Sequence, residues 1–194
     1  MKKLTALFCT IVLLLGIAIP ASAAEVNAAE INDDFELSGN VELISVQVLP
    51  NEEAEELLLE EINSIRNGDV PSVYAIPRDE IDLSTQDYGF DGTYSSTFHS
   101  EYLFTGHNGK LQFKIFENSE NEGDFIFKVY KKGLINTTIY NAGVARDDNS
   151  TLTFKELEKT DKFFFIVYPD GVPVEFAEGT RAIGDDILPD DVLP

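Results

Sequence analysis

The 194-residue chain sets 35 Asp and Glu against 14 Lys and Arg, a formal net charge of −21. That balance excludes a nucleic-acid binder, whose affinity is built on cations facing phosphates. The length suits one compact domain with an additional segment, and a single Cys excludes a disulfide scaffold.

Residues 1–24 read as a secretory signal peptide. Lys2 and Lys3 precede an apolar run over residues 4–19, followed by Pro20 and the small residues Ala21, Ser22, Ala23 and Ala24. Thr10 and Gly16 interrupt the run, which is shorter than the roughly 20 residues of a membrane span. Cleavage is expected after Ala23 or Ala24. Cys9 follows Ala6, Leu7 and Phe8 instead of the small residues of a lipoprotein site, so no lipid anchor is expected. Cleavage removes Cys9, Lys2 and Lys3 and leaves 12 basic against 35 acidic side chains, a formal −23. The exported chain then has no thiol for a disulfide, a nucleophile or a metal, and its core alone must hold it. Residues 187–194 lack the Thr-Gly, hydrophobic stretch and basic tail of a wall-sorting signal. Free secretion, or non-covalent retention at the cell envelope, is the expected location.

Residues 25–84 form an acidic segment with 16 acidic and 2 basic side chains. A strand is expected over 41–49 and a helix over 51–67. Asn51 stands where a cap is needed, Glu52, Glu53, Glu55 and Glu56 meet the positive end of the helix dipole, and Gly68 is a stop. Ala54, Leu57, Leu58, Ile62 and Ile65 recur at helical spacing as one apolar stripe, which either packs on the domain or serves a partner. Residues 69–95, with Pro71, Pro77, Gly89 and Gly92, read as an extended linker. Residues 25–84 as a whole would also suit a removable pro-segment.

Residues 85–178 hold 18 of the 21 aromatic side chains, which places the core there. Leu111, Phe113 and Ile115 alternate with Gln112 and Lys114, and Phe125, Phe127 and Val129 with Ile126, Lys128 and Tyr130, as in half-buried strands. Further strands are expected over 96–105, 134–141, 151–157, 162–168 and 172–176. The run Phe163, Phe164, Phe165, Ile166, Val167, Tyr168 is apolar on both faces, as in a central strand. Asn108-Gly109 predicts a type I′ hairpin, Pro169-Asp170-Gly171 a tight turn that pairs Tyr168 with Val172, and Lys131-Lys132-Gly133 a further reversal. The pattern predicts an all-β fold, an antiparallel β-sandwich or jelly-roll, preceded by the acidic segment with its one strand and one helix. Residues 179–194 return to an acidic tail without aromatics.

Catalytic signatures are few. The sequence has no phosphate-binding Gly-rich loop, no His-Glu-x-x-His helix and no Gly-x-Ser-x-Gly turn. His99 and His107 sit beside turns, where solvated surface residues are expected. Calcium is the one cofactor that the acidic loops suggest, because a hard cation takes oxygen ligands. Its candidate ligands are Asn118, Glu120, Glu122 and Asp124 in one loop and Asp147 and Asp148, beside Asn149, in another. The first loop fails as an EF-hand, since Asn118 replaces Asp and Val129 stands where a bidentate Glu is required. A sugar platform would draw on Tyr88, Phe90 and Tyr94, with Tyr130 and Tyr140 on a sheet face.

Asp91-Gly92-Thr93-Tyr94-Ser95-Ser96-Thr97-Phe98, Gly109-Lys110-Leu111-Gln112-Phe113-Lys114-Ile115, residues 125–132, Ser150-Thr151-Leu152-Thr153-Phe154 and Lys162–Tyr168 follow one another in this order. In strand order and turn placement, residues 85–178 resemble the bacterial pre-peptidase C-terminal type of β-sandwich. The resemblance implies a non-catalytic module of a secreted bacterial protein, some members binding calcium or matrix polymers. Residues 25–84, which precede the sandwich, are not expected to form a peptidase domain. The reading is a secreted non-catalytic module for an extracellular or cell-envelope partner, a protein or polysaccharide, without nucleic acid and without membrane insertion after cleavage. The alternative is a secreted hydrolase with a carboxylate-based site.

Overall fold

The computed structural model describes residues 24–26, 35–66, 77–118, 121–146 and 149–184. The expected signal peptide before Ala24, linker residues 69–76 and the tail from residue 185 lie outside the described residues. In chain order the elements are β1 (Ala24–Val26), β2 (Phe35–Ser38), β3 (Val41–Pro50), α1 (Asn51–Arg66), β4 (Glu80–Asp82), β5 (Tyr88–Gly89), β6 (Gly92–Tyr94) and β7 (Phe98–His99). They continue as β8 (Leu103–Thr105), β9 (Leu111–Phe116), β10 (Asp124–Lys132), β11 (Asn136–Ala145), β12 (Asn149–Phe154), β13 (Lys162–Tyr168), β14 (Val174–Phe176) and β15 (Arg181–Ile183).

The fold is an all-β sandwich. One sheet runs β1-β3-β11-β10-β13-β8-β4, with β7 also on β13; the other runs β2-β12-β9-β15-β5, and β6 pairs with β14 beside them. Pairing is antiparallel except between β4 and β8. Period-two alternation turns Leu111, Phe113 and Ile115 of β9 inward, where they meet Phe125, Phe127 and Val129 of β10 and Phe163, Phe165 and Val167 of β13, all fully buried. Phe113 meets Phe127 at 5.3 Å between ring centroids, and Phe127 meets Phe165 at 5.0 Å. Burying each such ring contributes about 1.5–3 kcal/mol over leaving it in water.

The opposite face of the larger sheet forms a second core. Leu49, Leu103, Tyr130, Ile139, Phe164 and Ile166 are covered there by Ala54 and Leu58 of α1. Ala54, Leu57 and Leu58 of the apolar stripe thus pack on the sheet; the side chains of Ile62 and Ile65 lie outside the described residues. These two cores explain why the run through β13 is apolar on both faces. One face looks into the sandwich and the other under α1.

Several expectations are corrected by sheet pairing. Residues 25–84 do not form a segment apart with a single strand: β3 pairs with β11 from Val41 to Pro50, β2 with β12 and β4 with β8. Within the expected linker, β4, β5 and β6 are strands. The composition boundary at residue 178 falls before β15, which inserts between β9 and β5 with Ala182 and Ile183 buried. The expected strand over 96–105 is broken at Ser100, whose backbone N–H donates to Phe165 O (3.1 Å) and whose hydroxyl donates to Tyr102 O (3.0 Å).

Local turn chemistry is correct where the pairing is not. Asn108 and Gly109 both take positive φ (50° and 101°), and Lys110 N–H donates to His107 O at 2.9 Å. Yet this turn carries the chain from β8 in one sheet to β9 in the other. Asp170 and Gly171 also have positive φ, and there the chain leaves β13 for β14, so Tyr168 and Val172 are not strand partners. Among the described strands only β10 and β11 are chain neighbours that pair as a hairpin. The connections step across the roughly 10 Å between packed sheets, and a dipeptide cannot encode which sheet comes next.

Candidate functional site

Strand register gathers four connections at one end of the sandwich. Asp124 pairs with Ala145, Asn149 pairs with Phe116, and Val41 pairs with Val144. The Gly39-Asn40 turn, the loop after β9, the loop after β11 and the 169–173 turn therefore adjoin. Ala145 N–H donates to Asn40 O (2.9 Å), Arg146 N–H to Gly123 O (3.0 Å) and Asn118 N–H to Glu175 O (2.9 Å). Gly39 is required in this cluster: its φ is +83°, and a Cβ would stand 2.2 Å from Asn149 O.

A buried ion pair braces this end. Alternation places Arg146 one step beyond the inward Ala142 and Val144, and Glu117 one step beyond Leu111, Phe113 and Ile115. Their side chains are 2% and 0% exposed, with Nη1 3.8 Å from Oε1. Arg146 Nη1 donates to Pro173 O (2.8 Å), and Nη2 donates to Pro169 O (2.5 Å) and Val172 O (3.0 Å). Glu117 Oε1 accepts from Glu175 N–H at 3.3 Å. The guanidinium thus gathers the 169–173 turn, while the carboxylate ties β14 to the end of β9. Neither residue stood out as functional in the sequence. The signal was the period-two pattern, which carries one charge of each sign onto the core face.

The candidate calcium ligands are only partly placed. Asn118, Glu122 and Asp124 are exposed around this end; Glu120, Asp147 and Asp148 lie outside the described residues. Among the described residues, no three His, Cys, Asp or Glu side chains converge as a metal site. What the fold adds is the adjacency of the two loops, which lie about twenty-five residues apart in sequence and become neighbours through the β10–β11 register.

Burial removes two members of the expected aromatic platform and leaves Tyr88, Tyr94 and Tyr140 half-buried. Phe90 is 5% and Tyr130 1% exposed. Tyr130 stacks on Phe164 at 4.6 Å beneath α1, Tyr94 stacks on Phe98 at 3.8 Å, and the Tyr140 ring stands edge-on to Phe154. Tyr88 lies between Phe90, Tyr102 and Phe104, and its hydroxyl accepts from Glu101 N–H at 3.3 Å. Burial raises the phenol pKa of both Tyr88 and Tyr94 above its ordinary value. On the surface, Ser84 donates through its hydroxyl and its backbone N–H to Asp82 and lowers that carboxyl's pKa.

His107 is also corrected: it is fully buried. Gly109 N–H donates to Nδ1 at 3.3 Å, so the ring carries its proton on Nε2 and donates it to Asp161 O at 3.1 Å. This is a brace between two turns. His99 is half-buried beside Ser100 O. A shallow cleft beside α1, lined by Ala54, Leu58, Tyr130, Lys132, Thr137 and Phe164 among others, spans about 250 Å³ including solvent-open space. That is below the roughly 300–1,000 Å³ of small-molecule pockets. Comparison with protein-family models, curated proteins and solved structures returned no match.

Proposed function

We propose that this chain is a secreted, non-catalytic β-sandwich module that binds an extracellular or cell-envelope partner through its loop end, with calcium as the ion met there. The observation that carries the reading is the convergence of four connections on a frame braced by Arg146 and Glu117. Rigid scaffolds that display irregular loops are the usual architecture of recognition. The signal-like residues 1–24 and the resemblance of residues 85–178 to pre-peptidase C-terminal modules support an exported accessory role. The net charge supports the ion, because a polyanionic module meets an anionic envelope polymer only across a divalent bridge.

The test is a thermal melt of the cleaved protein in millimolar calcium and in chelator, joined to co-sedimentation with cell-envelope preparations under the same two conditions. Calcium is expected to raise the midpoint, since a ligand of the folded state alone stabilises it by mass action. Replacing Asn118, Glu122 and Asp124 together by Ala is expected to reduce that rise, and envelope retention is expected only with calcium. Identical midpoints together with no retention would overturn the proposal.

A further inference from the structure

The β10–β11 hairpin ends in two bare aliphatic side chains, Leu134 at 97% and Ile135 at 80% exposure. These are the most exposed large apolar side chains among the described residues. The carbonyls of the loop beneath them are tied. Gly133 N–H donates to Asn136 O at 2.8 Å, and a Cβ on Gly133 would stand 2.7 Å from that same oxygen. Asn51, the first residue of α1, donates from Nδ2 to Gly133 O (3.4 Å) and Leu134 O (3.1 Å), and from its backbone N–H to Ile135 O (3.3 Å). Thr137 Oγ1 donates in turn to Asn51 Oδ1 at 3.0 Å. The residue read as a helix cap in the sequence also holds the hairpin tip.

This arrangement has a specific physical consequence. A loop carbonyl that enters an apolar contact without a donor loses its water and costs about 1–3 kcal/mol. Here all three tip carbonyls already have protein donors, so covering Leu134 and Ile135 strands none of them. The fixed backbone also spares the ordering cost that a flexible loop incurs on binding. A rigid, hydrogen-bonded tip that presents two aliphatic side chains outward is built to be covered.

Charge selects what covers it. The start of α1 beneath the tip carries Glu52 and Glu56, both exposed, while the flanking Lys131 and Lys132 are occupied by Asp161 (2.9 Å) and Glu55 (3.4 Å). An anionic lipid surface and a second copy of this acidic chain are both repelled. We propose that the Leu134 and Ile135 tip docks onto a protein partner that presents an apolar helical face flanked by Lys or Arg. The tip lies at the far end of β10 from the candidate calcium loops, about 27 Å away at roughly 3.4 Å per residue. It therefore needs no calcium, and its failure is separable from failure of the loop-end reading.

The chain has no Trp, so Leu134→Trp gives a single reporter at the tip. The probe is a synthetic amphipathic helical peptide with a Leu face and a Lys face. Tip emission is expected to move to shorter wavelength on titration. The wild-type protein is expected to bind the labelled peptide about tenfold or more tightly than the Leu134→Ser, Ile135→Ser double variant, a loss of about 1.4 kcal/mol or more. The exposed position predicts an unchanged melt for that variant, and the chelator leaves peptide binding intact. Equal affinity of the two proteins would show attraction by charge alone and would overturn the proposal. So would a blue shift with vesicles of phosphatidylcholine or phosphatidylglycerol, or a tip-dependent dimer by light scattering.

Discussion

Arg146→Met tests the brace that holds the loop end. Methionine keeps an unbranched apolar stem near the Phe125 ring, whose centroid lies 5.9 Å from the guanidinium carbon. It removes three hydrogen bonds to the 169–173 turn and the cation facing Glu117. The Pro173 and Val172 carbonyls can recover water, because those residues are exposed and half-buried, whereas Pro169 is buried. Glu117 cannot, since its side chain is 0% exposed. Breaking one partner of a buried pair costs about 3–5 kcal/mol, a large part of the roughly 5–15 kcal/mol that holds a domain together. In urea, with a slope of about 2 kcal/mol per molar, the unfolding midpoint should fall by about 1.5–2.5 M. Adding Glu117→Leu removes the stranded carboxylate, so the double variant should recover about half of the loss. A midpoint shift for Arg146→Met below about 0.5 M, or a double variant that pays the sum of both single losses, would refute the account.

Burial of Tyr88 and Tyr94 gives the fold a weakness in alkali. Unfolded tyrosines lose their protons near the ordinary pKa of 10.0, while these folded ones hold theirs longer, so above that pH the native state carries more protons. Stability should be level below about pH 9 and decline as the pH rises past about 10. Tyr88→Phe should flatten the decline in urea midpoints, and a slope equal to wild type would contradict the burial argument. Gly39→Ala forces a side chain into positive φ and against Asn149 O, with an expected loss of about 1–3 kcal/mol or more. An unchanged thermal midpoint would show that the turn relaxes freely.

What the sequence determined by itself was everything that depends on near neighbours in the chain. Alternation identified the inward faces of β9 and β10, where Leu111, Phe113, Ile115, Phe125, Phe127 and Val129 are all 0% exposed. The doubly apolar run over 163–168 marked the central strand, and helical spacing marked Ala54 and Leu58 as the packed side of α1. The positive φ of Asn108 and Gly109 also follows from that dipeptide alone.

Only the tertiary structure decided which strands are partners. Sheet pairing joins residues far apart in sequence, such as Val46 with Tyr140 and Ala182 with Phe113, and is fixed by burial and register throughout the fold. Composition therefore set boundaries at residues 84 and 178 that the sheets cross. The same long-range pairing drew the loops on either side of β10 and β11 together and set Asn51 against the hairpin tip. Glu117 and Arg146 were readable one at a time as charges on a core face. Their meeting depended on β14 and the 169–173 turn closing over both, a contact between segments that no local pattern encodes.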